Sequence, residues 1–406
     1  MNILQINQSD IAGGAAIAGY RLHQGLLDQN INSRLLVGYQ KSSNSRIATV
    51  PQNPRIENQI YRFSWRLGFH HVHVVSTFDI PKHPFYQEAD IINFHNLHTG
   101  YFNYLAIPTL TAKKPAVFTL HDMWSFTGHC AYSYGCDRWK IGCGKCPHPE
   151  IHPSINMDNT RIEWKLKNWV YNNSNITIVT PSNWLGNLAK QSMLSQLPIH
   201  IIPYGIDTEV YQPLDKEKCK TVLGIPEGKK VLLFGAATLK DSRKGGDLLF
   251  SALQKLPSSL KAETILMTLG DDSEEISQQV GMSTINLGYV SSDRIKAIAY
   301  SAADLFVFPT RCDNLPLMLQ ESMACGTPMV SCKIGGVGDL VRPGITGYLA
   351  EPENVEDLRN GIMELLEDQQ LRGSMSQQCR AIALMEYNSE LQAKRYIELY
   401  RQLLAS

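Results

Sequence analysis

Short apolar runs alternate with longer segments of helical periodicity along almost the whole chain. Runs this short and this apolar are typical of parallel strands that are buried on both faces of a sheet. A helical segment between successive runs indicates βαβ units and doubly wound α/β sheets. The predicted strands are Asn2–Ile6, Ser33–Val37, Ile91–Phe94, Ala116–Leu120, Ile176–Val179, His200–Ile202, Lys230–Phe234, Thr264–Leu269, Thr284–Leu287, Leu305–Phe308 and Pro328–Ser331.

These strands fall into two sets, which predict two Rossmann-like domains. The segment IIPYGIDTEVYQP, which ends at Pro213, separates the sets with prolines and a glycine. We expect an N-terminal domain over residues 1-203, a C-terminal domain over residues 204-387, and a final helix over residues 388-406 that packs back on the first domain. Since ligands of such sheets bind beyond the carboxyl ends of the strands, the two domains should face a shared cleft.

The charge of the chain is balanced, with 38 lysines and arginines against 38 aspartates and glutamates. A net charge of zero gives no reason to expect nucleic acid as a partner. The N-terminus lacks the basic and apolar regions of a signal peptide, and no apolar run is long enough to span a bilayer. We therefore expect a cytoplasmic protein whose membrane contact, if it has one, is peripheral at the cytoplasmic membrane face.

Candidate chemistry is densest between residues 308 and 347. Asp313 precedes a predicted helix that begins near Pro316 and ends before Gly326, and Glu321 lies on that helix. Eight helical residues rise about 12 Å, whereas the two carboxylates of a retaining glycosidase lie about 5 Å apart. The pair is thus expected to bracket an elongated ligand, with phosphate at the helix N-terminus and sugar hydroxyls at both ends. The alternative is an unrelated surface aspartate and a solvated glutamate.

Several segments in order along the chain resemble the family 4 glycosyltransferases, which have the GT-B fold. They are Gly13–Gly14, TLHDMW around His121, TPSNW, IPYGIDTEVYQP, SRKGGDLL around Lys244, and the stretch from Asp313 through ACGTPMVS and two glycine turns. The resemblance covers nearly the full length. It implies a retaining enzyme that depends on a nucleotide-sugar.

The resemblance also implies roles for individual residues. His121, Lys244 and Asp313 correspond to catalytic positions. The implied donor-binding residues are Gly13, Gly14, Arg243, Lys244, Tyr289, Asn314, Leu315, Leu317, Met318 and Glu321. Four further side chains at the ends of first-domain strands are acceptor-side candidates or structural residues: His95, His98, Asp122 and Trp124.

Two positions depart from the family pattern. Asp313 stands where glutamate is common, so its carboxylate reaches about one methylene less far. The arginine that often follows the first strand of the second domain is replaced by Gly235 and two alanines. Lys240 or Arg243 is the expected substitute for that arginine.

A cluster of four cysteines follows His121: Cys130, Cys136, Cys143 and Cys146. The Cys-x2-Cys half has zinc-knuckle spacing, whereas the first half is irregular for zinc. A structural zinc site, reduced thiols and a local disulfide all fit the spacing. No D-x-D pair suits a divalent metal, so no metal is expected to be required for catalysis.

The resemblance implies a retaining hexosyltransferase that uses a nucleotide diphosphate sugar, such as the UDP-sugar UDP-glucose. The acceptor would be a glycan or lipid-linked glycan in polysaccharide or exopolysaccharide biosynthesis. Two alternatives stay open: a nucleotide-sugar 2-epimerase of the same fold, and an inactive nucleotide-sugar-binding protein. The segment Arg161–Tyr171, with tryptophans among lysines, fits either a membrane-surface helix or an ordinary buried stripe.

Overall fold

A computed structural model of the protein describes residues 1–271 and 280–405. The chain forms two compact units. Unit 1 comprises Met1–Gly205 and the C-terminal segment Glu390–Ser406, and unit 2 comprises Ile206–Ser389. Each boundary lies two residues beyond the one expected from the sequence.

Unit 1 is built on a parallel sheet of seven strands in its described residues, in the order β3-β2-β1-β4-β5-β6-β7. The strands are β1 (Asn2–Ser9), β2 (Asn32–Tyr39), β3 (Ile47–Thr49), β4 (Ile91–Phe94), β5 (Ala116–Thr119), β6 (Ile176–Thr180) and β7 (Ile199–Ile201). The central strands β4, β5 and β6 are buried at every residue, as their continuous apolar runs predict.

Helices cover the sheet of unit 1. They are α1 (Gly14–Asp28), α2 (Pro54–Arg66), α3 (Pro84–Glu88), α4 (Ile107–Thr111), α5 (Thr160–Asn172) and α6 (Asn183–Ala189). The C-terminal helix Ser389–Ala405 also packs here, since Tyr396 and Tyr400 lie in one buried cluster with Val117. Asn93 Nδ2 donates to Tyr400 Oη at 2.9 Å, which ties this helix to β4.

Unit 2 is built on a second parallel sheet, whose six described strands run in the order β10-β9-β8-β11-β12-β13. The strands are β8 (Lys230–Thr238), β9 (Thr264–Asp271), β10 (Thr284–Asn286), β11 (Leu305–Phe308), β12 (Met329–Cys332) and β13 (Gly347–Ala350). The helices are α7 (Lys216–Val222), α8 (Gly246–Gln254), α9 (Ser258–Glu263), α10 (Asp293–Ala302), α11 (Leu317–Ala324), α12 (Val337–Leu340), α13 (Val355–Glu367) and α14 (Gln369–Glu386).

The two doubly wound parallel sheets confirm the predicted fold class. Two strands, β3 and β13, were not predicted. Both lie at the edge of a sheet, where half of the backbone hydrogen-bonding groups face no neighbouring strand. A short run with few apolar residues can therefore form an edge strand. In the part of the chain that the structure describes, none of the helices is long and apolar enough to cross a membrane.

Candidate functional site

In unit 2, two cationic side chains converge on Asp313. Lys244 Nζ lies 2.8 Å from Asp313 Oδ2, and Arg243 Nη1 lies 3.0 Å from Asp313 Oδ1. Thr310 Oγ1 donates to the same carboxylate at 2.7 Å. The sequence separates Asp313 from Lys244 by 69 residues. The fold unites them because one follows β11 and the other follows β8, which are neighbouring strands.

Electrostatics keeps the Asp313 carboxylate ionised. Burial by itself raises the pKa of Asp313, but the charges of Lys244 and Arg243 and the hydrogen bonds from Lys244 and Thr310 outweigh burial and hold this pKa below its ordinary value. The carboxylate therefore serves as a charged counter-ion that fixes the position of both cations. The expected contact between Asp313 and sugar hydroxyls stays a prediction.

Two glycines hold the loops that carry these groups. Gly245 has a φ of +70°, and a Cβ there would lie 2.0 Å from the carbonyl oxygen of Pro309. Gly335 has a φ of +54°, and a Cβ there would lie 2.0 Å from the carbonyl oxygen of Asp313. Only glycine combines such a backbone conformation with so close an approach. The glycine turns of the sequence signature are thus needed to pack the loop that carries Arg243 and Lys244 against the loop that carries Asp313.

The helix that follows Asp313 has the predicted bounds. α11 begins after Pro316, and Gly326 follows its end with a φ of +70°. The first amides bonded within the helix are those of Leu319 and Gln320, which both reach the carbonyl oxygen of Pro316. The amides of Leu317 and Met318 therefore precede the intrahelical ladder, at the positive end of the helix dipole.

The glycine that replaces the family arginine, Gly235, lies inside β8. A Cβ at Gly235 would lie 2.3 Å from the terminal methyl carbon of Met318, so a larger residue there would require this flexible side chain to move. Of the two expected substitutes, Arg243 is the one whose guanidinium lies at Asp313 beside Lys244. Lys240 is exposed.

The remaining donor-site candidates occupy different environments. Glu321 is buried on α11 and accepts a hydrogen bond from Tyr300 Oη at 3.2 Å. Asn314 and Leu315 are also buried, whereas Tyr289 is exposed after β10. In unit 1, Gly13 and Gly14 are exposed at the start of α1, and a Cβ at Gly14 would meet no atom within 4 Å. The backbone there is open to a ligand.

In unit 1, the candidate His121 belongs to a buried chain of hydrogen bonds. Its Nδ1 lies 2.6 Å from Tyr204 Oη, and its Nε2 lies 3.1 Å from His95 Nδ1. His95 Nε2 in turn lies 2.8 Å from Gln5 Oε1. Gln5 Nε2 donates to Ser33 Oγ at 2.9 Å, and His23 Nδ1 lies 2.8 Å from the same hydroxyl.

This chain defines the protonation of His121. Burial lowers the pKa of His121 to about 4 and holds the pKa of His95 well below 6.5, so both rings are neutral near pH 7. Since Gln5 Oε1 can only accept, His95 Nε2 donates to it and His121 Nε2 donates to His95 Nδ1. His121 Nδ1 is then an acceptor, which the Tyr204 hydroxyl satisfies.

The other acceptor-side candidates form a second group. His98 Nε2 lies 2.9 Å from Asp122 Oδ2, and the backbone N–H of Trp124 donates to Asp122 Oδ1 at 2.8 Å. Trp124 is only 1% exposed, and Lys167 Nζ lies 3.7 Å from the centre of its ring. Lys167 also donates to the carbonyl oxygen of Trp124 at 2.7 Å. Trp124 thus supports the loop after His121 from inside, and its role on the acceptor side stays a prediction.

Of the three arrangements that fit the cysteine cluster, the structure shows free thiols rather than a zinc site or a disulfide. None of its four thiols forms a disulfide, and within residues 1–271 and 280–405 no group of three or more His, Cys, Asp or Glu side chains has an arrangement that could hold a metal ion. The Cys143 thiol instead accepts from the N–H of Gly128 at 3.2 Å, and Cys146 Sγ lies 3.2 Å from His129 Nε2. Burial raises the pKa of Cys130 to about 12 and that of Cys143 to about 11, which favours thiols over the thiolates that bind zinc.

Sequence reasoning missed several polar residues that hold these groups. Thr310 and Tyr300 bind the two carboxylates, and Tyr204 and Gln5 complete the chain through His121. Gln5 had one available signal: it is a polar residue inside an apolar strand, where a buried amide needs hydrogen-bond partners. Tyr204 had none, because its segment was interpreted as a connector and as part of the family resemblance, and neither assigned a role to this side chain.

Comparison with known proteins identifies the family of the chain. A family model described as "Glycosyltransferase Family 4" matches residues 12–210, and one described as "Glycosyl transferases group 1" matches residues 215–381. The chain is 25% identical to WcaC of Escherichia coli (strain K12), named as a putative colanic acid biosynthesis glycosyl transferase, over 99% of this chain and 100% of WcaC.

Solved structures share the fold of the chain. A sucrose-phosphate synthase from Thermosynechococcus elongatus has a TM-score of 0.72 at 17% identity and covers 100% of both chains. HepE of Anabaena in complex with UDP has a TM-score of 0.71 at 17% identity, over 99% of this chain and 100% of HepE. At such identities the structures establish the GT-B fold alone. With the two family matches, at residues 12–210 and 215–381, they confirm the resemblance: the chain belongs to the family 4-type glycosyltransferases of the GT-B fold.

Proposed function

We propose that this glycosyltransferase transfers a hexose, with retention of the anomeric configuration, from a UDP-sugar such as UDP-glucose to a hydroxyl group of a glycan or lipid-linked glycan. The observation that carries the proposal is the convergence of Lys244 and Arg243 on Asp313, in the loop that leads into α11. Two fixed cations beside a helix N-terminus suit a diphosphate, which needs positive charge and N–H donors.

The chemical role of this group follows from where charge develops. When the bond between the anomeric carbon and the diphosphate oxygen breaks, its electron pair stays on the leaving diphosphate. Lys244 and Arg243 donate to that diphosphate, and the amides of Leu317 and Met318 add the positive end of the helix dipole. Asp313 holds both cations in place before the donor arrives, so little reorganisation is needed during the reaction.

His121 serves the sugar rather than the phosphates. Its Nδ1 is an acceptor that the Tyr204 hydroxyl occupies in this structure, and a sugar hydroxyl can replace that partner. Because the ring is neutral, it accepts a hydrogen bond without adding charge near the anomeric carbon. Glu321 is the proposed acceptor for the ribose hydroxyls, and Tyr289 is the proposed contact of the base.

The proposed setting is polysaccharide biosynthesis in the cytoplasm. The name of WcaC refers to colanic acid biosynthesis, and HepE binds UDP in its solved complex. The nine cysteines of this chain form no disulfide, which suits a reducing compartment.

A thermal-shift panel tests the choice of donor. UDP-glucose and UDP are expected to raise the melting temperature more than GDP-glucose and ADP-glucose at equal concentration, because a ligand that binds only the folded state stabilises it more the more tightly it binds. A larger shift with GDP-glucose or ADP-glucose would contradict the UDP assignment. A turnover assay with and without acceptor tests the two alternatives. Interconversion of free nucleotide-sugars without transfer would support the 2-epimerase. Binding of the nucleotide-sugar without any turnover would support the inactive binding protein.

A further inference from the structure

Helix α2 of unit 1 exposes its apolar side chains and buries its polar ones. Phe63 is 69% exposed and Ile56 is 50% exposed, whereas Glu57 and Ser64 are each only 6% exposed. A surface helix of a globular protein normally does the reverse, with its apolar stripe against the core. The orientation of α2 therefore leaves apolar area in solvent that the fold does not use.

The exposed apolar residues form one continuous stripe. Ile56, Ile60, Phe63 and Leu67 recur at helical spacing, so they lie along one side of α2 and its last turn. Ile60 is half-buried, and the other three are exposed. Tyr61 and Trp65, one turn apart, are exposed beside Glu57 and Ser64 on the opposite flank. Large apolar patches on a soluble domain commonly mark an interaction surface.

Specific contacts fix α2 in this orientation. Glu57 Oε1 accepts from the backbone N–H of Ser76 at 2.9 Å, and Glu57 Oε2 accepts from the N–H of Asn53 at 3.0 Å. At the far end, Asn156 Nδ2 donates to the carbonyl oxygen of Trp65 at 2.9 Å. A buried, hydrogen-bonded carboxylate on the inner side of the helix makes rotation of the apolar stripe towards the core costly.

The charge of this region is strongly one-sided although the whole chain is neutral. Residues 29–78 contain six basic side chains and one acidic one, the buried Glu57. The basic residues are Arg34, Lys41, Arg46, Arg55, Arg62 and Arg66. Helical spacing places Arg55, Arg62 and Arg66 on the outer side of α2, next to the apolar stripe, and all three are exposed.

We propose that α2 docks unit 1 on an anionic membrane surface. The apolar stripe of Ile56, Phe63 and Leu67 enters the boundary between headgroups and acyl chains, and the three arginines bind lipid phosphates at its edge. The apolar stripe lies beside three arginines, and α2 has no exposed acidic residue. This surface complements an anionic lipid layer, whereas a second copy of the helix would bring like charges together. The inference goes beyond the proposed function, because it does not depend on which donor the protein uses.

Vesicle sedimentation with the full-length protein tests the proposal. Wild type should bind vesicles that contain phosphatidylglycerol more tightly than vesicles of phosphatidylcholine alone, and added salt should reduce this difference. The double variant Ile56→Ser, Phe63→Ser should bind anionic vesicles at least about tenfold more weakly than wild type, as expected for loss of two large apolar side chains. Arg62→Gln with Arg66→Gln should remove the preference for anionic lipid while leaving residual binding.

A matched control removes equally exposed apolar residues elsewhere. Val222→Ser with Met385→Ser, both in unit 2 and 72% and 65% exposed, should bind vesicles as wild type does. Because α2 contributes no group to the proposed donor site, its variants should retain the thermal shift with UDP-sugar. The proposal is overturned if wild type does not prefer anionic vesicles, if the α2 variants bind like wild type, or if the control loses as much. It is equally overturned if the α2 substitutions convert a dimer into a monomer and leave vesicle binding unchanged.

Discussion

Replacing Lys244 by alanine is expected to lower kcat by about 100-fold to 1,000-fold, the range found when one preorganised donor to a developing negative charge is removed. The loss should fall mainly on kcat, because the charge of the leaving diphosphate grows towards the transition state. Asp313 keeps Arg243 as a partner in this variant, so the carboxylate is not left buried without a counter-ion. Initial rates of nucleotide release with saturating donor provide the measurement.

Lys240→Ala is the matched control for this substitution. Lys240 lies four residues earlier in the same loop but is exposed, whereas Lys244 is held against Asp313. We expect Lys240→Ala to change kcat less than threefold, about 0.7 kcal/mol or less in transition-state free energy. Equal losses in both variants, or near-normal kcat in Lys244→Ala, would remove Lys244 from the reaction.

Unit 1 should lose stability when the pH falls from about 6.5 to about 4. Burial lowers the pKa of His23 and of His121 to about 4, and it holds the pKa values of His71 and His95 well below 6.5. In the unfolded chain these histidines bind protons near pH 6.5, so the unfolded state holds more protons within this window and acid favours it. At pH 5 each histidine costs up to about 2 kcal/mol of folding free energy.

Urea unfolding at pH 7.5, 6.0 and 5.0, followed by a signal from unit 1, measures this effect. The midpoint should fall steeply between pH 6.5 and 5, before most carboxylates begin to protonate. His71→Phe removes one titrating ring, because a phenylalanine side chain is neutral at every pH. Unfolding of this variant should take up as many as one proton fewer, so its unfolding free energy should fall less steeply with decreasing pH. A midpoint that is constant from pH 7.5 to 5 would show that these histidines are not buried in the neutral form.

The fold was largely predictable because most of its strands are buried on both faces. Continuous apolar runs such as Ile91–Phe94 and Leu305–Phe308 gave the observed bounds without error. The edge strand Ile47–Thr49 carries no such signal, since one of its sides faces no strand and its residues need not be apolar.

The sequence proposed a set of site residues, but it did not predict how their side chains pair. The sequence indicated Lys244 and Asp313 separately and assigned the carboxylate to sugar hydroxyls. That the two side chains meet depends on the neighbouring positions of β8 and β11 and on the glycine turn at Gly335, which only the three-dimensional structure supplies. Likewise, the tautomer of His121 is set by Gln5 through His95, residues that the sequence places far apart.

We propose that the chain breaks the sugar–diphosphate bond of a nucleotide-sugar with retention. Proton NMR of UDP-glucose incubated with the protein tests it most directly, through slow transfer of the sugar to water in the absence of acceptor. We predict that UDP accumulates and that the first free glucose has the α configuration of the donor, before mutarotation mixes the anomers. Release of β-glucose first, appearance of an epimerised sugar, or no UDP release above that of the Lys244→Ala variant would contradict the account.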